Sequence, residues 1–311
     1  KNFFNCENLD HILAEIFYIV SNALSSQEMY LMSNFYLSLA IYLNSDFVSY
    51  KALYAENIYM IGSLENSKKL YGQIKNNGRI FNWYAIKQIT SILFEQDKKE
   101  EAIDYFSKKF KNLKNPSTYQ IFDYAEFLKN NQKFEEAILM YSKVIDQINK
   151  KHDLYAEATD GRGISYERNG DWEKAEKDFF DSLTAEPNQA YVINYLAYSW
   201  IEQGVNIERS LKMLEKANDL RKNDGYIIDS LGWALFKLKK FTEAEKYLQR
   251  AVSLMPSDPV INDHYGDSLW MRGKNLQARY YWNYVLNLEK TEESLKKKIK
   301  DKLVFGLNLN L

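Results

Sequence analysis

Three histidines, His11, His152 and His264, bound the acid–base and metal chemistry open to this chain of 311 residues. His11 and His152 stand near expected helix starts and read as surface residues. His264 differs, because Asp263 and Asp267 flank it at one residue before and three after. An imidazole between two carboxylates can hold a metal ion or move a proton. No second histidine supports a metal set, and a hydrogen-bonded groove position explains His264 as well. The chain has no G-x-S-x-G elbow, no phosphate loop and no H-E-x-x-H pair. The sequence therefore predicts no enzyme, no catalytic residue, no metal and no cofactor.

A second set of residues points to binding. Asp160, Asn194, Asp229 and Asp263 recur about 34 residues apart. Tyr195, Tyr198, Tyr226, Trp233, Phe236, His264, Asp267 and Trp270 fall at related positions around them. Carboxylates and amides can accept the backbone N–H groups of an extended peptide, and Tyr and Trp supply contact area at low entropic cost. These twelve residues are the predicted partner-binding set, with Trp233 and Tyr198 taken as exposed. The same types could instead fill the seam between helices, the aspartates capping or bridging neighbours. Spacing alone does not separate the two readings.

The elements that position these residues follow from a repeat. Gly225 to Glu292 contains one unit written twice: Gly232 and Gly266 are each followed by an alanine, Ala244 and Ala278, at the same offset. That is the spacing of the tetratricopeptide repeat, a helix–turn–helix unit. In that register the chain divides into units 14–47, 48–81, 83–116, 118–151, 156–189, 190–224, 225–258 and 259–292. Position 20 is always Ala or Ser: Ser33, Ser67, Ala102, Ala137, Ala175, Ser210, Ala244 and Ala278. Position 8 is also small, and position 24 carries a large side chain, from Leu37 to Trp282, that fills the gap between the paired helices.

Gly62, Gly170, Gly204 and Gly273 share position 15, the turn inside a unit. All four prolines lie at junctions between units. Asp10 is the expected cap of a first helix, and Ser117 with Gln120 and Thr242 with Glu245 are spaced as capping boxes. The predicted fold is all-α: a right-handed α–α superhelix of about eight helix–turn–helix repeats with a C-terminal capping helix. The expected divisions are a lead-in at 1–13, divergent repeats at 14–151, a spacer at 152–155, well-matched repeats at 156–292, and a cap and tail at 293–311. The cap carries five lysines, Lys296, Lys297, Lys298, Lys300 and Lys302. It reads as a solvated lid, with attraction to an acidic surface as the alternative.

Forty-one basic against 42 acidic residues leave a net charge of −1, so no field for nucleic acid exists. One cysteine, Cys6, excludes an internal disulfide framework. No apolar run is long enough to span a membrane. The chain begins at Lys1 rather than Met, so a signal peptide or longer N-terminal region fits ahead of it. A clamp for a peptide carboxylate needs Lys and Arg on the inner face. The last three units offer mainly acidic and aromatic residues there, so no such clamp is expected.

The series GRGISYER (161–168), DWEKAEKDF (171–179), NYLAYSW (194–200), DSLGWALF (229–236), INDHYGDSLW (261–270) and QARYYW (277–282) resembles the cell-envelope tetratricopeptide proteins of alphaproteobacteria. Their relatives include outer-membrane repeat lipoproteins that act as adaptors for carboxy-terminal processing proteases. The match covers about 160–292, and residues 1–155 share only the register and pieces such as NFYLSLAIYL (34–43). The resemblance implies a non-enzymatic scaffold or adaptor in the periplasm or at the outer membrane, with the cytoplasm as the alternative. It implies a protein or peptide partner, such as an envelope protease or assembly complex, and a peripheral membrane tether. No lipobox accompanies the tether. The competing functional reading is a self-associating assembly protein without a groove ligand.

Overall fold

The computed structural model describes residues 4–307. Among these, every regular element is an α-helix. The first eight are α1 (Leu9–Ser26), α2 (Tyr30–Leu43), α3 (Val48–Met60), α4 (Leu64–Ile74), α5 (Arg79–Glu95), α6 (Lys99–Lys111), α7 (Thr118–Asn130) and α8 (Phe134–Gln147). The next eight are α9 (Leu154–Arg168), α10 (Trp172–Ala185), α11 (Ala190–Glu202), α12 (Ile207–Leu220), α13 (Gly225–Lys237), α14 (Phe241–Leu254), α15 (Pro259–Met271) and α16 (Asn275–Leu286). A last helix, α17 (Glu293–Phe305), follows. The chain forms two compact units, Lys1–Phe127 and Leu128–Leu311, and the boundary falls within α7.

Small-against-large packing builds each hairpin. All eight position-20 residues and all eight position-24 residues are buried. Where position 8 is glycine the fit is direct. A methyl group on Gly163, Gly232 or Gly266 would lie 2.9, 2.7 or 2.6 Å from Phe179, Leu248 or Trp282, the position-24 residue of the same hairpin. At two of the three position-20 serines the hydroxyl is absorbed locally, while the Ser210 hydroxyl is buried without a hydrogen-bond partner. Ser33 donates to the Ser21 carbonyl and Ser67 to the Ala55 carbonyl, both at 2.8 Å, so these polar atoms bury without penalty.

Position 15 carries more than the four glycines. Glu28, Gly62, Asp97, Gln132, Gly170, Gly204, Lys239 and Gly273 all have positive φ, from 59° to 86°. The hairpin turn therefore demands the left-handed conformation in every unit. Four units supply it from a residue with a Cβ, at about 1 kcal/mol each relative to glycine.

Local starts partly differ from expectation. Asn8, not Asp10, caps α1, its side chain accepting from the Asp10 N–H. Ser117 and Gln120 form their reciprocal box, at 2.9 and 3.3 Å. Thr242 and Glu245 do not, because α14 already begins at Phe241 and Glu245 faces Arg272 and Lys274 instead. Leu154 and Tyr155, read as spacer, form the buried first turn of α9, with the Asp153 carboxylate accepting from the Leu154 N–H.

Candidate functional site

Two helix starts in the second unit set the register of the site. Asp224 caps α13 by accepting from the N–H groups of Tyr226 and Ile227. Asp258 does the same for Val260 and Ile261 of α15, with Pro259 in the first turn, where its missing N–H costs nothing. Equal starts place Asp229 and Asp263 at equal depth on neighbouring helices. His264, one residue further, then reaches back across the seam. Its Nδ1 lies 2.9 and 3.1 Å from the two carboxylate oxygens of Asp229.

Trp233 is one turn beyond Asp229, and its ring lies flat on His264, with centroids 3.9 Å apart and planes 9° apart. Phe236 also stacks on the indole, at 4.7 Å and 8°. The indole N–H donates to Glu202 at 2.8 Å, and the Lys237 ammonium sits 4.9 Å from the ring centre. Burial alone would lower the basicity of His264. The charge and hydrogen bond of Asp229, with Asp263 and Asp267 behind it, outweigh this and hold the imidazole above its ordinary pKa. Burial, with Glu202 and the aspartates nearby, pushes the Tyr198 phenol up.

The other two carboxylates belong to a second cluster. The Lys302 ammonium, on α17, donates to Asp263 at 2.7 Å and to both oxygens of Asp267 at 2.7 and 2.8 Å. The indole of Trp282 donates to Asp267 at 3.0 Å. The Lys302 side chain is only 14% exposed. Burial and the adjacent Asp263 push the Asp267 carboxyl up to about 7, against the downward pull of Lys302. Burial would lower the Lys302 ammonium, but Asp267 and Asp263 raise it.

Apolar packing holds α17 in place. Ile299 is fully buried, and Leu295, Leu303 and Leu307 pack against the same core. Arg279 donates to the Leu303 carbonyl. The chain then turns at Gly306, with φ of 77°, so close to Trp270 that an added methyl would lie 2.2 Å from the indole. A cleft of about 710 Å³ remains between this helix and the face of α11, α13 and α15. It is lined by Tyr198, Trp233, His264 and Asp263 on one side and Lys298 and Lys302 on the other.

The structure thus brings together Tyr198, Asp229, Trp233, Phe236, Asp263, His264 and Asp267, with Trp270 under the chain end. It does not bring in the rest of the predicted set. Tyr226 is exposed and apart, and Asp160 lines a different hollow with Tyr191 and Arg221. Tyr195 donates to Glu167 at 2.8 Å and packs on Phe179. Asn194 has its side-chain oxygen buried without a hydrogen-bond partner.

Two expectations are corrected here. Trp233 is not an exposed groove residue but 8% exposed, because His264 and Phe236 stack on it. The aspartates do not form one open ladder. Asp229 is engaged by His264, and Asp263 by Lys302 of the chain's own last helix. Lys302 is the residue of the site that the sequence does not distinguish among five lysines. Its signal was its register, since Leu295, Ile299 and the Lys302–Leu303 pair share one helix face.

Among the described residues no cluster of three or more His, Cys, Asp or Glu could hold a metal. No described helix is long and apolar enough to cross a membrane.

The comparisons with known proteins bear on the fold. A tetratricopeptide repeat family model matches residues 226–258, the hairpin of α13 and α14 that carries Asp229 and Trp233. The fold is the tetratricopeptide-repeat solenoid. A curated TPR repeat-containing protein of Pseudomonas aeruginosa is 29% identical over 143 residues, 46% of this chain and 23% of that protein. The chain thus spans less than a quarter of that relative's length. Among solved structures, a tetratricopeptide repeat protein of Parabacteroides merdae superposes with a TM-score of 0.54 at 17% identity, over 70% of this chain and 85% of that one. PilW, described as a widely conserved type IV pilus biogenesis factor, gives 0.52 at 18% identity, over 62% and 88%. At such identities the tetratricopeptide likeness is one of fold.

Proposed function

We propose that this tetratricopeptide chain is a non-enzymatic scaffold that holds a protein or peptide partner on the inner face of α11, α13 and α15. The observation that carries the reading is the cleft itself. It offers aromatic side chains fixed by stacking and polar groups fixed by ion pairs, a pre-organised surface that loses little entropy on binding. The His264–Asp229 pair resembles a general base with its orienting carboxylate. Among the described residues the hydrogen bonds of His264 run to Asp229 and to no serine or threonine hydroxyl or cysteine thiol, so the pair reads as a structural strut. The cell envelope is the proposed location, on the resemblance of residues 160–292 and the proposed adaptor role alone.

The test is affinity capture from the source organism's envelope fraction, wild type against Tyr198→Ala/Lys237→Glu at the cleft rim. Proteins retained by wild type and lost by the variant support the reading, and identical recoveries overturn it.

Self-association is the second reading, and one observation favours it. On α1 the residues Leu9, Leu13, Ile16, Ile19 and Val20, and on α2 Leu31 and Phe35, are exposed apolar side chains. Contiguous apolar surface of this kind marks interaction sites. Sedimentation at rising concentration checks it: a constant monomer excludes assembly through this surface.

A further inference from the structure

We propose that α17 is a displaceable resident of the binding face, and that the partner is an amphipathic helix that seats its own lysine between Asp263 and Asp267. This rests on the scaffold reading above and names the chemistry of its partner.

Three features lead there. The cation position is specified by its surroundings rather than by α17. Asp263 and Asp267 are both buried, and Asp267 already accepts from the Trp282 indole, so the geometry is fixed from α15 and α16. Two carboxylates that share one ammonium at 2.7 Å are costly to leave charged and facing each other without it. Whatever displaces α17 at low cost must therefore deliver a cation, and exchange of one ammonium for another leaves the electrostatics of the site unchanged. A neutral or acidic segment has no such route.

The second feature is the way α17 is held. Its apolar contacts come from Leu295, Ile299 and Leu303, one stripe of one short helix, with Leu307 just beyond its end, and among the described residues it packs mainly on α16. It is joined to the array through Asn287–Glu292, so it can leave without unwinding a hairpin. A helix-in-groove partner needs only the same i, i+4, i+7, i+8 pattern of apolar, apolar, lysine, apolar.

The third feature is the adjoining cleft, which extends the seat to Tyr198, Trp233 and His264. The resident helix leaves Tyr198 partly open to a longer ligand, with the nearly buried Trp233 and His264 behind it. The resident thus covers part of the surface and a competitor can cover more, which gives the differential affinity that displacement requires. Lysines outnumber carboxylates on the rim, with Lys237, Lys239, Lys290 and Lys298 against Glu202 and Glu292, so selectivity comes from the single seated lysine rather than from a basic run.

The test uses a labelled synthetic peptide of residues 293–307, its Lys302→Gln counterpart that keeps the other lysines, and the full chain. Three proteins are titrated by fluorescence anisotropy: wild type, Ile299→Asp to undock α17, and Ile299→Asp with Asp263→Asn/Asp267→Asn. Lys302→Gln in the full chain serves as an independent undocking variant that leaves the apolar stripe intact. The expected result is at least tenfold tighter binding of the lysine peptide to the undocked chains than to wild type. That gain should vanish with the glutamine peptide and with the double Asn variant. Equal binding of both peptides, equal binding to wild type and undocked chains, or no binding to any chain overturns the proposal. None of those results touches the scaffold reading, which is decided by the rim variant in the capture experiment.

Discussion

The two compact units bury polar groups in opposite ways. In the first, Asn57 is wholly buried, and its amide donates to Ser33 at 2.8 Å and Asn34 at 2.9 Å while accepting from Ser25 at 2.7 Å. That network is neutral and complete within the first three helices. In the second unit the buried groups at the inner face are charged, and two of the three carboxylates take their counter-charge from Lys302, 35 and 39 residues further along the chain. The hairpin frame is the same in both. The neutral network closes on itself within three helices; the Asp263–Asp267 pair imports its counter-ion and so depends on the docking of α17.

The largest effect that would sharpen this contrast comes from the imported charge. Lys302→Gln leaves Asp263 and Asp267 buried and unpaired, which is expected to cost the second unit about 3 kcal/mol, limited by how readily α17 releases. Lys87→Gln in the first unit breaks a half-exposed pair with Asp123 and is expected to cost well under about 1 kcal/mol. Denaturant titration of both variants checks the difference, and similar losses would erase it.

Gly266→Ala should come next. Its new methyl would lie 2.6 Å from the indole nitrogen of Trp282, so about 2 kcal/mol is expected from overpacking. In the first unit the same position is already alanine, Ala55, above Tyr71. A wild-type melting temperature for Gly266→Ala would break the account of the hairpin seam.

The response to pH separates the units more finely. The folded Asp267 carboxyl is raised to about 7 by burial and Asp263, so its stabilising contribution is full below its unfolded value and is lost as pH rises through about 7. His264 is also raised, and its contribution is likewise lost as pH climbs past its ordinary value. Asp263, Asp267, Lys302, Glu202, Glu292, Lys237, Lys239, Lys290 and Lys298 line the same space, and Asp229 meets His264 from the neighbouring helix. Denaturation midpoints at about pH 5 and pH 8 should therefore fall with rising pH more in wild type than in Asp267→Asn. Asn57→Ala should shift the first unit equally at both pH values, since its network carries no titrating group.

The smallest effect concerns the shared frame. Lys239→Gly relieves a left-handed residue at the turn, but glycine loosens the unfolded chain, so a gain of only about 0.5 kcal/mol is expected. A loss would show that Lys239 does more than occupy the turn.

The frame was legible in the sequence because one packing constraint is imposed eight times. Ala244 beside Gly232 is weak alone, but a column of small residues facing a column of large ones is not. The turn was legible only where glycine announced it. Glu28, Asp97, Gln132 and Lys239 adopt the same conformation with side chains that give no warning. At the site, residue types were readable and pairings were not. His264 was recognised as unusual beside Asp263 and Asp267, yet its bonded carboxylate is Asp229, on the preceding repeat, because equal caps at Asp224 and Asp258 bring the two helices into step. Lys302 lay hidden because a lysine-rich helix is ordinarily solvated. Only the three-dimensional end of the array shows one of the five turned inward.

Hydrogen exchange along the full chain, wild type against Lys302→Gln, tests the central claim most directly. The account predicts that protection is lost across Glu293–Phe305 and at the inner turns of α15, while α9 to α14 keep theirs. Unchanged protection of α17 would show that Lys302 does not hold it, and loss spread through the whole second unit would show that α17 is not a separable occupant.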